Sequence, residues 1–307
     1  MDLKQKDLRN VAEAVERKIG WLRLEPGGTM EIRLLSVVTE DVWDEFQKLI
    51  GTQARIRPYL LDFMALESEF QAVIRAHVEY AEGIALSVNP AFWPLSHQFV
   101  QLVQVQRHVS NFLGSASAFR ERMSTRLRSE GRASLSAEIV QHTNDLYDRN
   151  FAYRLMYNLR NYAQHHDLPI GVTNVNIANV SGSERDVAVK FAIDGKELLK
   201  STRIQAKVRS EIEALHDPHI ELLAATRTFF QCHVLLMRHW LLANQETFRG
   251  AFQYKSAVER TLVLPEGALP VIFEGEMPNP SIRHFAFDEL DLWTSLSERL
   301  LEDPILT

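Results

Sequence analysis

Along most of the chain apolar residues recur every three or four positions, and only in short stretches every second one, so the predicted structure is mainly helical. The clearest case is Leu102, Val105, Val109, Phe112, Ala116, Phe119 and Met123, one stripe sustained over three heptads of a long bundle helix. Gly131 marks a turn after it. A second long helix is expected from about Ser134 to His166, with Ser134 or Ser136 as N-cap. It turns Leu135, Ile139, His142, Leu146, Leu155, Leu159 and Tyr162 inward, and Pro169 prevents its continuation. Two long helices joined by a short turn form an antiparallel helical hairpin.

Elsewhere the same periodicity predicts a polar helix over residues 2–19 and a helix from Asp41 to about Val88, broken at Asn89-Pro90. It also predicts helices from Lys196 to Leu215, from Pro218 to Glu259 and from Phe287 to Leu301. Pro26-Gly27-Gly28 turns the chain within WLRLEPGGTMEIRLL, which reads as a small hairpin or a loop. The period drops to two at Val187, Val189, Phe191 and Ile193, ending at Asp194-Gly195, and Val172, Val175 and Ile177 precede Ser181-Gly182. This is the pattern of a two-stranded hairpin. Val271 to Phe273 is a candidate strand. The fold class is therefore mainly α: a helical bundle with a long antiparallel helical hairpin, a small β-hairpin and a short C-terminal strand. The regions are 1–98 (helical), 99–170 (the helical hairpin) and 171–307 (β-hairpin and C-terminal helices), packed as one domain with the rest.

Composition narrows the class without changing this picture. The chain has 307 residues, 46% hydrophobic and 24% charged, an ordinary balance for a globular protein. The charged opening MDLKQKDLRNVAEAVERK lacks the apolar core of a secretory signal, and no apolar run reaches about 18 residues. A cytoplasmic protein with no membrane partner is expected. A lone cysteine, Cys232, excludes an intrachain disulfide and a cysteine-based zinc cage, and its setting FFQCHVLLM is that of a small core residue. The net charge of −6 argues against general attraction to nucleic acid. Its distribution is uneven: Phe99 to Pro169 holds nine arginines, no lysine and six acids, so that segment carries +3 and the remainder −9.

Motifs for phosphate loops, dinucleotide folds, helix-borne zinc and nucleophile elbows are absent, and neither a metal nor a cofactor is expected. His216 and His219, in HDPH, straddle a proline turn and read as solvated or structural, and His233 and His239 flank an apolar helix as buried or capping groups. There remains NLRNYAQHHDLP, Asn158 to Pro169. A loose pairing of arginine and histidine with four to six residues between them is expected about 2.7 times by chance, and Arg209 with His216 and Arg227 with His233 also satisfy it. The stricter R-N-x3-H is expected roughly 0.03 times, and only Arg160-Asn161-His165 meets it. On an uninterrupted helix Asn161 and His165 share a face and Arg160 points about 140° away from His165. These are the residue types that ribose 2′-OH attack on a phosphate requires: a group exchanging protons near neutral pH, a fixed cation and a polar orienting group. Helix C-termini also favour Arg, His and Asn for electrostatic reasons alone.

At these residues the chain resembles the HEPN superfamily (higher eukaryotes and prokaryotes nucleotide-binding), whose hallmark is R-polar-x3-H near the end of the last long helix of a bundle. The surrounding HVSNFLGSASAFRERM and LRNYAQHHDLP are similar to uncharacterised bacterial members, and the likeness spans Phe99 to Ile170. The resemblance implies metal-independent RNA cleavage in a toxin or phage-defence setting, by a homodimer facing its motif helices across the axis, with an antitoxin or regulatory protein as a possible partner. It implies His165 as the motif histidine, Arg160 as the motif arginine and Asn161 as the polar residue between them. His166-Asp167-Leu168 stands where many members carry an aromatic residue. Arg120, Arg122, Arg126, Arg128 and Arg154 are candidates for holding an RNA backbone, or else a solvated face. The alternatives are a non-catalytic nucleotide- or RNA-binding member and a helical interaction or scaffold protein.

Overall fold

A computed structural model describes residues 16–86, 95–181, 184–275, 281–285 and 287–302. The element order is β1 (Arg17–Leu24), β2 (Met30–Val37), α1 (Glu40–Ala85), α2 (Leu95–Ser129), α3 (Ala133–Arg149), α4 (Phe151–Ala163), β3 (Ile170–Ser181), β4 (Glu184–Asp194), α5 (Gly195–Leu199), α6 (Ala206–Glu213), β5 (His219–Glu221), α7 (Leu222–Ala243), α8 (Gln245–Leu262), β6 (Leu269–Glu274), β7 (Ser281–His284) and α9 (Phe287–Glu302). Helices dominate, with two small antiparallel sheets, and among the described residues no helix is long and apolar enough to cross a membrane. Among the described residues two compact units form, one within residues 16–57 and 244–299, the other within 58–243 and 300–302. The expected break at Asn89-Pro90 lies outside the described residues, as do residues 2–15 of the expected first helix. Its last residues, Arg17 to Ile19, are strand.

The first unit is built on a sheet in the order β2-β1-β6-β7. Arg23↔Glu31 and Trp21↔Arg33 pair across the β1–β2 hairpin, whose turn holds Gly28 at φ +80°. Gly20 is obligatory, because a Cβ there would lie 2.0 Å from the Arg33 carbonyl oxygen at a bulge that leaves Leu35 unpaired. The central strand β6 buries Val271, Ile272 and Phe273, so both of its faces are covered. Phe46 packs edge-on against Phe285 at 4.8 Å, and Gln53 Nε2 donates to the Phe285 carbonyl at 3.2 Å. Arg17 stacks 4.1 Å over Trp43 while pairing with Glu274 and Glu40.

In the second unit the heptad stripe is the core of α2: Val105, Val109, Phe112, Ala116, Phe119 and Met123 are all buried. Phe70 and Phe230 stack at 4.3 Å, and Tyr59 and Trp240 at 4.6 Å. Gly131, at φ +73°, turns the chain into α3. Ser136 is inside α3, its hydroxyl donating to the Ser124 carbonyl; Arg132, not a serine, is the N-cap residue. The sheet β3-β4-β5 turns Phe191 toward α1, 5.0 Å from His77 and 4.9 Å from Tyr80. His77 Nε2 donates to the Val189 carbonyl at 2.8 Å.

Three expected helices are divided. Asn150, with φ −123° and ψ 112°, ends α3 and caps α4, its side chain accepting the Tyr153 N–H at 3.2 Å. The predicted single helix from Ser134 to His166 is thus two helices, and His142 is exposed rather than inward. Residues 200–205 separate α5 from α6. The expected helix from Pro218 to Glu259 is β5, α7 and α8, with α7 and α8 parting at Asn244.

His233 on α7 lies between Phe229 at 4.6 Å and Tyr153 at 5.6 Å, with Nδ1 donating to the Phe229 carbonyl at 2.8 Å. Burial pushes its imidazolium down to about 4, and the Phe229 carbonyl only partly opposes this. A depressed histidine contributes stability that is present above its unfolded value of about 6.5 and lost as pH falls toward 4. Denaturation from pH 7 to pH 4 is expected to show a loss of about 3 kcal/mol assignable to this residue. His233→Gln should be less stable at pH 7 yet have a flatter acid limb; parallel wild-type and variant curves would reject the assignment.

Candidate functional site

The end of α4 is set by three contacts made earlier in the same helix. Arg154 is buried: its Nε donates to Glu211 Oε2 at 2.9 Å, Nη2 pairs with Glu211 Oε1, and Nη1 reaches the Tyr147 and Asp148 carbonyls. Those carbonyls belong to the last turn of α3, so Arg154 closes that helix electrostatically as well as binding α6. Asn158, one turn on and also buried, accepts the Gln205 N–H at 3.0 Å. Arg154, Asn158 and Asn161 share one face of α4 by their i, i+4, i+7 spacing.

Arg160 and Asn161 occupy the last turn of α4, half-buried, with Arg160 Nη1 donating to Asn161 Oδ1 at 3.3 Å. The helix stops at Ala163, with Gln164 as C-cap. His165 therefore lies in a turn, its N–H and that of His166 both donating to the Tyr162 carbonyl at 3.0 and 3.1 Å. The helical angle between Arg160 and His165 does not apply beyond that point. His166, expected within the inward stripe, is exposed, its ring 4.6 Å from Tyr162. The turn is strapped to its surroundings: Gln106 Nε2 donates to the Leu168 and Ile170 carbonyls at 3.2 and 3.1 Å, and the Asp194 N–H to Pro169 at 2.8 Å.

An open cleft of about 750 Å³ is lined by Tyr162, His165, His166, Asp167 and, from α5, Glu197. Arg160 and Asn161 are not among its lining residues. Within one chain the structure joins Arg160 to Asn161 and places His165 in a cleft whose lining includes Asp167 and Glu197 but not Arg160. Glu197 carries its own counter-ion, Lys200. It comes from 32 positions beyond His165, and no spacing in the sequence signals it.

The remaining arginines divide. Arg154 is a structural anchor with both ends of its guanidinium engaged, not a surface for RNA. Arg122 and Arg126 share the single carboxylate of Asp62. Arg128 is exposed and leans on its own helix, 3.4 Å from the Ser124 carbonyl. Arg120 lies 5.1 Å over the Tyr157 ring, one turn before Asn161, so this arginine does reach the motif helix. Arg120 and Arg128 line a groove of about 420 Å³ with Ser124, Thr143 and Asn144.

A second polar hollow, about 560 Å³, lies on the sheet β3-β4-β5 and includes Asn174, Lys190, Asp217, His219 and Glu221. Asp217 accepts both the backbone N–H and Nδ1 of His219 at 2.9 Å, and the backbone bond first, then the ring, holds its carboxyl below the usual range. This is a proline-turn Asx arrangement, in keeping with a structural reading of HDPH. Cys232 is buried and its thiol is pushed up to about 11 by burial, the state of an unreactive core residue. Among the described residues no group of three or more His, Cys, Asp or Glu side chains is arranged to hold a metal ion.

Comparison with protein-family models, curated proteins and solved structures finds no match to the chain. The two arginines of α4 separate in stability. Arg154→Ala leaves Glu211 and two carbonyls without their donor and is expected to cost about 3 kcal/mol by chemical denaturation, whereas Arg160→Ala should change stability by less than about 1 kcal/mol. Equal losses would contradict the division into anchor and site residue.

Proposed function

We propose that the chain is a metal-independent endoribonuclease of the HEPN type, acting as a toxin or phage-defence effector in the cytoplasm. The observation that carries this reading is His165, exposed in an open cleft directly after a helix whose last turn holds Arg160 against Asn161. In the reaction the ribose 2′ oxygen attacks the adjacent phosphorus, the 2′-O–P bond forms and the P–O5′ bond breaks. His165 accepts the 2′-OH proton and later returns it to solvent, water in the open cleft protonates the departing 5′ oxygen, and the products are a 2′,3′-cyclic phosphate and a 5′-OH. Arg160 offers a guanidinium to the charge developing on the phosphate oxygens, and Asn161 holds that guanidinium in place. A DNA strand lacks the attacking group and is not cut.

The cleft of one chain is short of positive charge. Asp167 lines it with His165 and disfavours a phosphate, the Glu197 carboxylate is paired with Lys200, and Arg160 of the same chain is outside the lining. In this reading α2 and α3–α4 form the HEPN-like helical hairpin, and a second copy of α4 across a two-fold axis brings its Arg160 into the cleft of the first. Arg120, against Tyr157, extends the cationic track for the RNA backbone. An antitoxin or regulatory protein would act by covering this cleft. The shortage of positive charge in the cleft favours, as a second reading, a helical interaction or scaffold protein.

Purified protein mixed with cellular RNA is expected to cleave it in EDTA and to leave cyclic phosphate ends; loss on chelation with recovery in magnesium contradicts the mechanism. His165→Ala should lower the rate about a hundredfold or more, while His166→Ala, which removes only a ring contact with Tyr162, should retain cleavage and lose about 1 kcal/mol of stability. Full activity of His165→Ala protein ends the assignment. Mixing inactive Arg160→Ala and inactive His165→Ala chains is expected to restore part of the activity, because one cleft in the mixed dimer draws both groups from intact copies. A mixture that stays inactive beside an active wild type rejects the shared cleft.

A further inference from the structure

Among the described residues the outer strand β2 is a sheet edge with no strand paired on its outer side. Every residue of MEIRLLSV is exposed, and on one face Leu24, Met30, Ile32, Leu34 and Leu269 lie as cross-strand neighbours, each between 38% and 69% exposed. Proline and short length are two of the devices that blunt a strand edge. Here the strand is eight residues long and has no proline.

We propose that β2 pairs antiparallel with β2 of a second copy of this chain, about a two-fold axis at Ile32, joining two four-stranded sheets into one. Three features select this occupant and this register. A two-fold axis perpendicular to a sheet passes through one residue pair, so the choices are discrete. The bulge at Leu35 ends the regular part of the edge, which runs from Met30 to Leu34 and is centred on Ile32. With the axis there, Glu31 faces Arg33 of the second copy, and Arg33 faces Glu31, on one side of the sheet. On the other side Met30 faces Leu34 and Ile32 faces Ile32.

Moving the axis by one residue sets Glu31 against Glu31 or Arg33 against Arg33, so like charges oppose the neighbouring registers. Within its own chain Glu31 already accepts from Arg23 at 2.8 Å, whereas Arg33 has no ion-pair partner among the described residues. The pairing supplies one. The inference rests on the sheet alone and is independent of any activity at α4.

Light scattering of the full chain at tens of micromolar, beside circular dichroism to confirm folding, tests it. Wild type is expected as an even-numbered assembly. Arg33→Glu, which sets Glu31 against a carboxylate in both halves, should halve the mass while remaining folded. The double exchange Glu31→Arg with Arg33→Glu restores opposite charges across the axis and should restore the mass. A monomeric wild type, an Arg33→Glu protein of unchanged mass, or a double exchange that stays dissociated overturns the pairing. Charge exchanges at β2 that leave the mass unchanged while α4 variants reduce it would assign association to the motif helix instead.

Discussion

The guanidinium of Arg154 is the constraint on which the helical unit depends. Three separate elements end on it: the last carbonyls of α3, the body of α4 that carries it, and Glu211 of α6. A buried ion pair of this kind adds little net stability over an apolar substitute, because desolvation offsets its Coulomb energy. What it does impose is geometry. Only one rotation of α4 lets Arg154 reach both partners while Asn158 meets Gln205, and that rotation determines which way Asn161 and Arg160 face.

Much of the fold is legible in the sequence because long amphipathic stripes leave little freedom. The α2 heptads, the β3–β4 hairpin, the β6 strand and α9 follow from periodicity, and Gly131 from its need for positive φ. The division at Asn150 was legible too, in a subtler signal. From Leu146 to Leu155 is nine residues, or about two and a half helical turns, so the apolar stripes on either side are half a turn out of phase. An unbroken helix cannot bury both. By contrast, β5 is three residues long and owes its existence to β4 beside it, which no local pattern encodes.

The candidate site divides along the same line. Arg160, Asn161 and His165 stand out by residue type and spacing, because the proposed phosphate chemistry calls for a proton carrier and a fixed cation. Their mutual placement is not, since it depends on where α4 stops, and Pro169 is too far from Ala163 to specify that. Arg154 was misassigned for a related reason. A charged side chain is ordinarily exposed, and the partner that allows this one to be buried is 57 positions away in sequence. Glu197 enters the cleft the same way, delivered by the β-hairpin that lies between it and the motif.

That delivery has a consequence for the chemistry. His165 is carried by a turn, and turns hold catalytic groups accurately only when their backbone is pinned. Gln106 pins Leu168 and Ile170 from α2, and Asp194 pins Pro169 from the base of the sheet, so the turn is fixed on both sides by elements that do not contribute to the cleft's charge. The backbone around His165 is therefore held within one chain, while the lining of its cleft includes Asp167 and Glu197 and not Arg160. A site that is geometrically finished and electrostatically unfinished is one whose activity is governed by what approaches it. Under the proposed phosphate chemistry, a second Arg160 is the group that would complete it.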